Sequence, residues 1–119
     1  MLERGIYIAV FFLARPCRIQ VGKLGCFRFR PGVYFYVGSA QRHLKTRLER
    51  HSRQEKPLRW HIDYLSTRAY MLGAMVASGP RERECELAGE LRDAYELVLP
   101  GFGASDCRCE GHLFYARQL

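Results

Sequence analysis

Tyr34 to His51 reads YFYVGSAQRHLKTRLERH, and this stretch decides the fold. From Val33 onward, Val33, Phe35 and Val37 alternate with Tyr34, Tyr36 and Gly38. A period of two is the mark of a strand, and it puts the two phenols on one face and their apolar neighbours on the other. Gly38-Ser39-Ala40 then turns the chain into a helical stretch. At 3.6 residues per turn Leu44 and Leu48 form one stripe, with Arg47 and His51 on the stripe beside it. Lys45, Thr46, Glu49, Arg50 and Arg53 fall on the far side and are expected to face water. An arginine and a histidine one turn apart, opposite a tyrosine-bearing strand, make a polar site built on rigid elements.

Working outward, the 119 residues predict one domain, 1–119, with one modest core. Hydrophobic residues are 48% and charged residues 26%, an ordinary globular balance. The net charge of +7 favours a polyanionic partner, nucleic acid first and an anionic membrane surface second. Five cysteines is an odd count, and MLERGIY lacks a signal-peptide layout. A reducing, cytoplasmic setting is therefore expected rather than a disulfide framework. No apolar run is long enough for a membrane span, and no repeat or linker divides the chain.

Gly5 to Leu13, GIYIAVFFL, suits a central strand buried on both faces. Tyr7 is its polar-tipped residue, which by itself reads as a core tyrosine with a satisfied hydroxyl. Arg18 to Val21 and Phe27 to Phe29 read as a basic hairpin around Gly22-Lys23-Leu24-Gly25. Pro57 is placed to open a second helix, with Leu58, Ile62 and Leu65 as its core stripe and His61 alongside. Tyr70 to Ala77 reads as a strand buried on both faces. Arg81 to about Val98 is the longest helix, and His112 to Ala116 a last edge strand.

On that long helix the acids separate. With Glu84 at zero, Leu87, Ala88, Leu91, Ala94, Tyr95 and Val98 fall within about 80° of it, and Glu82, Glu86, Glu90 and Asp93 lie opposite. Glu84 is thus the one acid on the apolar stripe. A basic side chain, a hydroxyl or a divalent metal would satisfy it.

Gly5-Ile6-Tyr7, Tyr36-Val37-Gly38-Ser39-Ala40, Arg47 with His51, and Glu84 to Ala88 together resemble the GIY-YIG nuclease superfamily, over essentially the whole chain. The match is nearest to a compact branch of it, sometimes found fused to endonuclease III. Val21 to Gly25, Trp60 to Leu65, Gly101 to Cys107 and His112 to Tyr115 carry that nearer match. The resemblance implies an α+β fold, a small mixed or antiparallel central sheet flanked by about three helices, with the basic hairpin as an insertion. It implies a metal-dependent DNA endonuclease, acting in repair or on branched or damaged strands, that uses one Mg²⁺ or Mn²⁺ held by Glu84. Tyr7 and Tyr36 would line the site and one would position or deprotonate the attacking water. Arg47 would hold the scissile phosphate, with His51 assisting and His61 in support. The alternatives are a nucleic-acid-binding module without turnover, on DNA or RNA, and a zinc-stabilised interaction domain. The chain departs from the family in its longer gap between Tyr7 and Tyr36, and in GFGASDC where many members carry an asparagine.

Charge locates the expected backbone track. Lys23, Arg28 and Arg30 lie on the hairpin, and Ser39, Arg42, Lys45, Arg50 and Arg53 on the turn and outer face of the first helix. Cys107, Cys109 and His112 have the residue types of a zinc site, with Cys85, Cys26 or His61 as completing ligand. The other reading is cysteines packed as small hydrophobes.

Overall fold

The computed structural model describes residues 3–104 and 109–116. Strand β1 (Gly5–Leu13) and strand β4 (Gly32–Ala40) run antiparallel along their full length, from Gly5 opposite Ala40 to Leu13 opposite Gly32. Between them β2 (Cys17–Val21) and β3 (Gly25–Phe29) form a separate two-stranded sheet joined by a short turn of 3-10 helix at Gly22–Leu24. Helices α1 (Leu44–Ser52) and α2 (His61–Ser66) follow, then β5 (Tyr70–Ala77), α3 (Arg83–Ala94), β6 (Glu96–Leu97) and β7 (Leu113–Ala116). The main sheet has the order β5-β1-β4-β7-β6, and every pairing is antiparallel. The fold is α+β.

Period-two alternation in β4 divides the core into two layers. Tyr34 and Tyr36 join Tyr7, Ala9, Phe11, Leu44, Ile62 and Leu65, and the hairpin adds Ile19, Val21 and Phe29. Phe35 and Val37 face the other way, onto Ala88, Leu87 and Leu91 of α3 and Phe114 of β7. The sheet is therefore sandwiched, with α1, α2 and the hairpin on one face and α3 on the other.

Several expectations are corrected here. Tyr70–Ala77 is a strand, but it is the sheet's edge, and Tyr70, Leu72, Met75 and Val76 are exposed. Helix α2 begins at His61 rather than at Pro57, because the Asp63 carboxylate accepts from the N–H groups of Arg59 and Trp60 and sets its first turn. Leu58 is left outside that helix, half exposed. Helix α3 stops at Ala94, since Tyr95 turns extended and Glu96–Leu97 pair with β7. That pairing makes β7 an interior strand instead of an edge. Among the described residues no helix is long and apolar enough to cross a membrane.

Candidate active site

The site lies where β4 turns into α1. Tyr7 is paired with Gly38 across the β1–β4 ladder, and its ring covers that glycine so closely that a Cβ there would overlap it. This approach requires glycine, and it aims the phenol at α1. The Tyr7 hydroxyl is 2.7 Å from His51 Nε2. The His51 ring is also packed against Tyr36, edge-on at 5.8 Å, and against Trp60 at 6.0 Å. Burial is nearly complete for both members of the pair, with Tyr7 2% and His51 1% exposed.

That burial fixes their protonation. Desolvation pushes His51 down to about 3, helped by the positive charge of Lys56, Arg47 and Arg50 and opposed by Asp63. Desolvation pushes Tyr7 up to about 12, opposed by the charge and hydrogen bonding of Arg47. Tyr36 is likewise held well above the usual phenol range by burial and by Tyr7. At neutral pH the imidazole and both phenols are uncharged. His51 Nδ1 is buried and has no hydrogen-bond partner among the described residues.

Arg47 brings the cation. Its Nη1 donates to the Ser39 carbonyl at 3.1 Å, and its guanidinium lies 4.6 Å from the centre of the Trp60 ring. Arg50 lies over the same ring at 4.4 Å but has a different task. It binds Asp63 through both guanidinium nitrogens, at 2.7 and 2.9 Å. Asp63 is fully buried; burial works against its carboxylate, but Arg50 and the N–H groups of Trp60 and Arg59 outweigh it and hold the acid below the usual range. Arg50 therefore does not face water as expected, because a buried acid thirteen residues on draws it inward.

Glu84 approaches from the other face of the sheet, on the first turn of α3. Ser39 Oγ donates to its Oε2 at 3.2 Å, and His112 Nδ1 is 3.4 Å from Oε1. Its side chain is 17% exposed, at the wall of an open cleft of about 850 Å³. One carboxylate beside a hydroxyl, in a space large enough for waters, fits a hard cation that keeps most of its hydration shell. His61 completes the wall. Its Nδ1 accepts from the Gly103 N–H at 2.8 Å, so the neutral ring carries its proton on Nε2. Burial lowers its pKa and keeps that form. Gly103 has φ +70°, and a Cβ on it would press on Tyr36 and His112. Phe102 beside it is fully buried against Tyr36 and His61, so the Gly-Phe-Gly stretch shapes the floor of the cleft.

Tyr7, Tyr36, Arg47, His51, His61 and Glu84 all line this one cleft, and so do Ser39 and Arg42. The other cations expected on the track do not line it. Lys23 and Arg28 are exposed on the hairpin, and Lys45 and Arg53 on α1 and just beyond it. Arg30 is paired with Glu96 and lies over Tyr115. Arg59 and Arg81 line the cleft without having been singled out, and so does Trp60, which the sequence marked only through the family resemblance. An aromatic next to an arginine, at Arg59-Trp60, was the available signal, because a guanidinium packs well on an indole face. Cys107 lies outside the described residues, Cys26 is exposed on β3, and Cys109 and His112 meet Cys85 at the cleft wall, which Cys85 and His112 help to line.

The family model described as Domain of unknown function DUF123 matches residues 6–119. No curated protein and no solved structure matches the chain.

Proposed function

The chain belongs to the DUF123 family, whose description names no activity, and we propose from the site itself that it is a metal-dependent endonuclease hydrolysing phosphodiester bonds in DNA. The observation that carries this reading is the convergence on one open cleft of a hydrogen-bonded Tyr7–His51 pair, the Arg47 guanidinium and the Glu84 carboxylate. The resemblance of the same residues to the GIY-YIG nucleases supports it.

In this mechanism Arg47 receives the phosphate. It spends one N–H on the Ser39 carbonyl and another on Tyr7, and its other donors match phosphate oxygens with a charge that persists at any working pH. Stacking on Trp60 limits how far the guanidinium swings, so part of the ordering cost precedes binding. The Tyr7 oxygen orients the attacking water. As the water oxygen adds to phosphorus, its proton passes to Tyr7 and the Tyr7 proton passes to His51 Nε2. The ester P–O bond breaks and the leaving oxygen takes a proton from solvent. Neither Tyr7 nor His51 has to be charged beforehand, and the imidazolium that forms is offset by the phosphate's negative charge. A divalent ion held by Glu84 would supply positive charge to the phosphate oxygens.

A binding module without turnover is the second reading, favoured by the depth of burial that makes Tyr7 a weak acid and His51 a weak base. A cleavage assay on duplex, nicked, flapped and four-way DNA, with an RNA duplex for comparison, in Mg²⁺ and Mn²⁺, separates the two. Arg47→Ala is expected to cost on the order of 10²-fold or more in rate, as removal of one preorganised charge-stabilising donor does. Glu84→Gln is expected to abolish cleavage while leaving DNA affinity nearly unchanged. Wild type that binds these substrates and cuts none establishes the module. Cleavage by Glu84→Gln at the wild-type rate moves the metal role to Glu82, the other carboxylate lining the cleft.

A further inference from the structure

Behind Glu84 a second group of donors faces inward from three places in the chain. Cys85 is the next residue on α3, Cys109 lies three residues before His112, and His112 leads directly into β7. Cys85 Sγ is 2.8 Å from Cys109 Sγ, and Cys109 Sγ is 2.7 Å from His112 Nε2. All three donor atoms fall within 4.8 Å of one another. His112 is almost wholly buried, and its Nδ1 is 3.1 Å from the Val37 carbonyl. A hydrogen bond from Nδ1–H to that carbonyl fixes the tautomer and turns the Nε2 lone pair toward the sulfurs. An imidazole that ligates a metal is oriented in the same way.

We propose that Cys85, Cys109 and His112 supply three of the four donors of a tetrahedral Zn²⁺ site, distinct from the oxygen-donor site at Glu84. Two thiolates and an imidazole are a soft donor set, unsuited to Mg²⁺ and matched to zinc. With Zn–S near 2.3 Å, tetrahedral geometry sets the two sulfurs about 3.8 Å apart, so they part by about 1 Å as the ion enters. The ion ties α3 to the strand end beside β4. Glu84 precedes Cys85, and its carboxylate lies 3.4 Å from the other ring nitrogen of His112, so the ion also holds Glu84 against Ser39. The proposal stands whether or not the cleft cuts DNA.

Metal analysis of reduced protein purified without chelator is expected to give about one zinc per chain. Cys85→Ser and Cys109→Ser are each expected to lose most of it, while Glu84→Gln and Arg47→Ala retain it even if cleavage is lost. Because a ligand variant may fail to fold, wild type stripped by a chelator is titrated with Co²⁺ in parallel. Intense visible bands of tetrahedral cobalt with thiolate charge transfer in the near ultraviolet, and a melting temperature restored by Zn²⁺, support the site. Zinc-free reduced protein without a thiolate–cobalt band overturns it. Loss of zinc in Glu84→Gln equal to that in Cys109→Ser overturns it too, since the ion would then belong to the carboxylate site. A Cys85–Cys109 disulfide in the protein as purified from the cell does the same.

Discussion

Acid should weaken this protein through His51 before its carboxylates titrate. The ring is 1% exposed, enclosed by Tyr7 from β1, Tyr36 from β4 and Trp60 ahead of α2. Lys56 stands at the end of α1, donating to the carbonyls of Arg50 and of His51 itself, and Arg47, Arg50 and Asp63 contribute their charges. Unfolded, the imidazole titrates at its ordinary 6.5; folded, it is pushed down to about 3. The unfolded chain therefore binds a proton that the folded chain refuses. The stability from keeping His51 neutral is full above the unfolded value and is lost as pH falls from there toward the folded one. At about 1.4 kcal/mol per pKa unit, the loss between pH 8 and pH 5 is about 2 kcal/mol from this residue alone.

Denaturant unfolding at pH 8 and pH 5, on wild type and His51→Gln, isolates that contribution. Glutamine keeps an acceptor for the Tyr7 hydroxyl but does not titrate. Asp63 is held below the usual carboxylate range, so it is ionised at both pH values in either protein, and His61 is common to both. Wild type is expected to lose about 2 kcal/mol more than the variant between the two pH values. Equal losses would refute the argument, and so would a His51 ring signal that titrates near neutrality by NMR. The same protonation states bear on the proposed catalysis. With His51 neutral and Tyr7 protonated across this range, the pair adds no inflection near pH 6.5 to kcat/KM.

Two further substitutions probe how the site is held. Gly38→Ala places a Cβ on the Tyr7 ring and hydroxyl, so overpacking should cost about 1–3 kcal/mol and displace Tyr7 from His51. Thermal melts and cleavage rates should fall together, and a variant unchanged in both would show that β1 and β4 yield there at little cost. Asp63→Asn leaves the largely buried Arg50 facing a neutral amide at a fully buried position and should cost about 3–5 kcal/mol, read by denaturant unfolding. A loss under about 1 kcal/mol, the scale of an exposed pair, would mean that the Arg50–Asp63 bond is no more than a surface contact.

What the sequence made legible was the part governed by local periodicity. The alternation in Val33 to Gly38 assigned the two faces of β4, and the stripe from Leu87 to Tyr95 identified the face of α3 that covers Phe35 and Val37. What it hid was set by partners distant in the chain. YMLGAMVA is as apolar as a central strand, but hydropathy does not count neighbours, and among the described residues β5 pairs with β1 alone. Tyr95 continues the helical stripe in sequence, but Glu96 and Leu97 are drawn into pairing with β7. Arg50 falls on the outer face of α1 by angle, and only Asp63 reveals why its guanidinium turns inward. Glu84 stood out as the one acid on an apolar stripe and Arg47 with His51 as polar residues beside one, whereas Tyr7 by itself read as core and was marked, like the role of Tyr36, by the family resemblance. Trp60 was marked only as part of the family resemblance, although the adjoining Arg59 was a signal for its place in the cleft.

Arg47 and Arg50 show how the fold decides which of two like residues can act. They sit three apart on one helix, and both lie over Trp60. Asp63 neutralises Arg50 with a two-point bond inside the protein, so that charge is spent on holding α1 to α2. Among the described residues Arg47 is held by a neutral carbonyl, the Tyr7 phenol and a ring face, none of which cancels its charge. Ser39, which supplies that carbonyl, also donates its hydroxyl to Glu84. One residue at the end of β4 thus ties the cation of one face of the sheet to the carboxylate of the other. The two are brought together there because α1 leaves β4 on one side while α3 packs against it on the other. A phosphate and a hydrated cation entering the cleft would meet both charges across the width of a single residue, on strands whose pairing already fixes their spacing. In the proposed reaction that positioning would precede ligand binding, and binding energy would not be spent on assembling it.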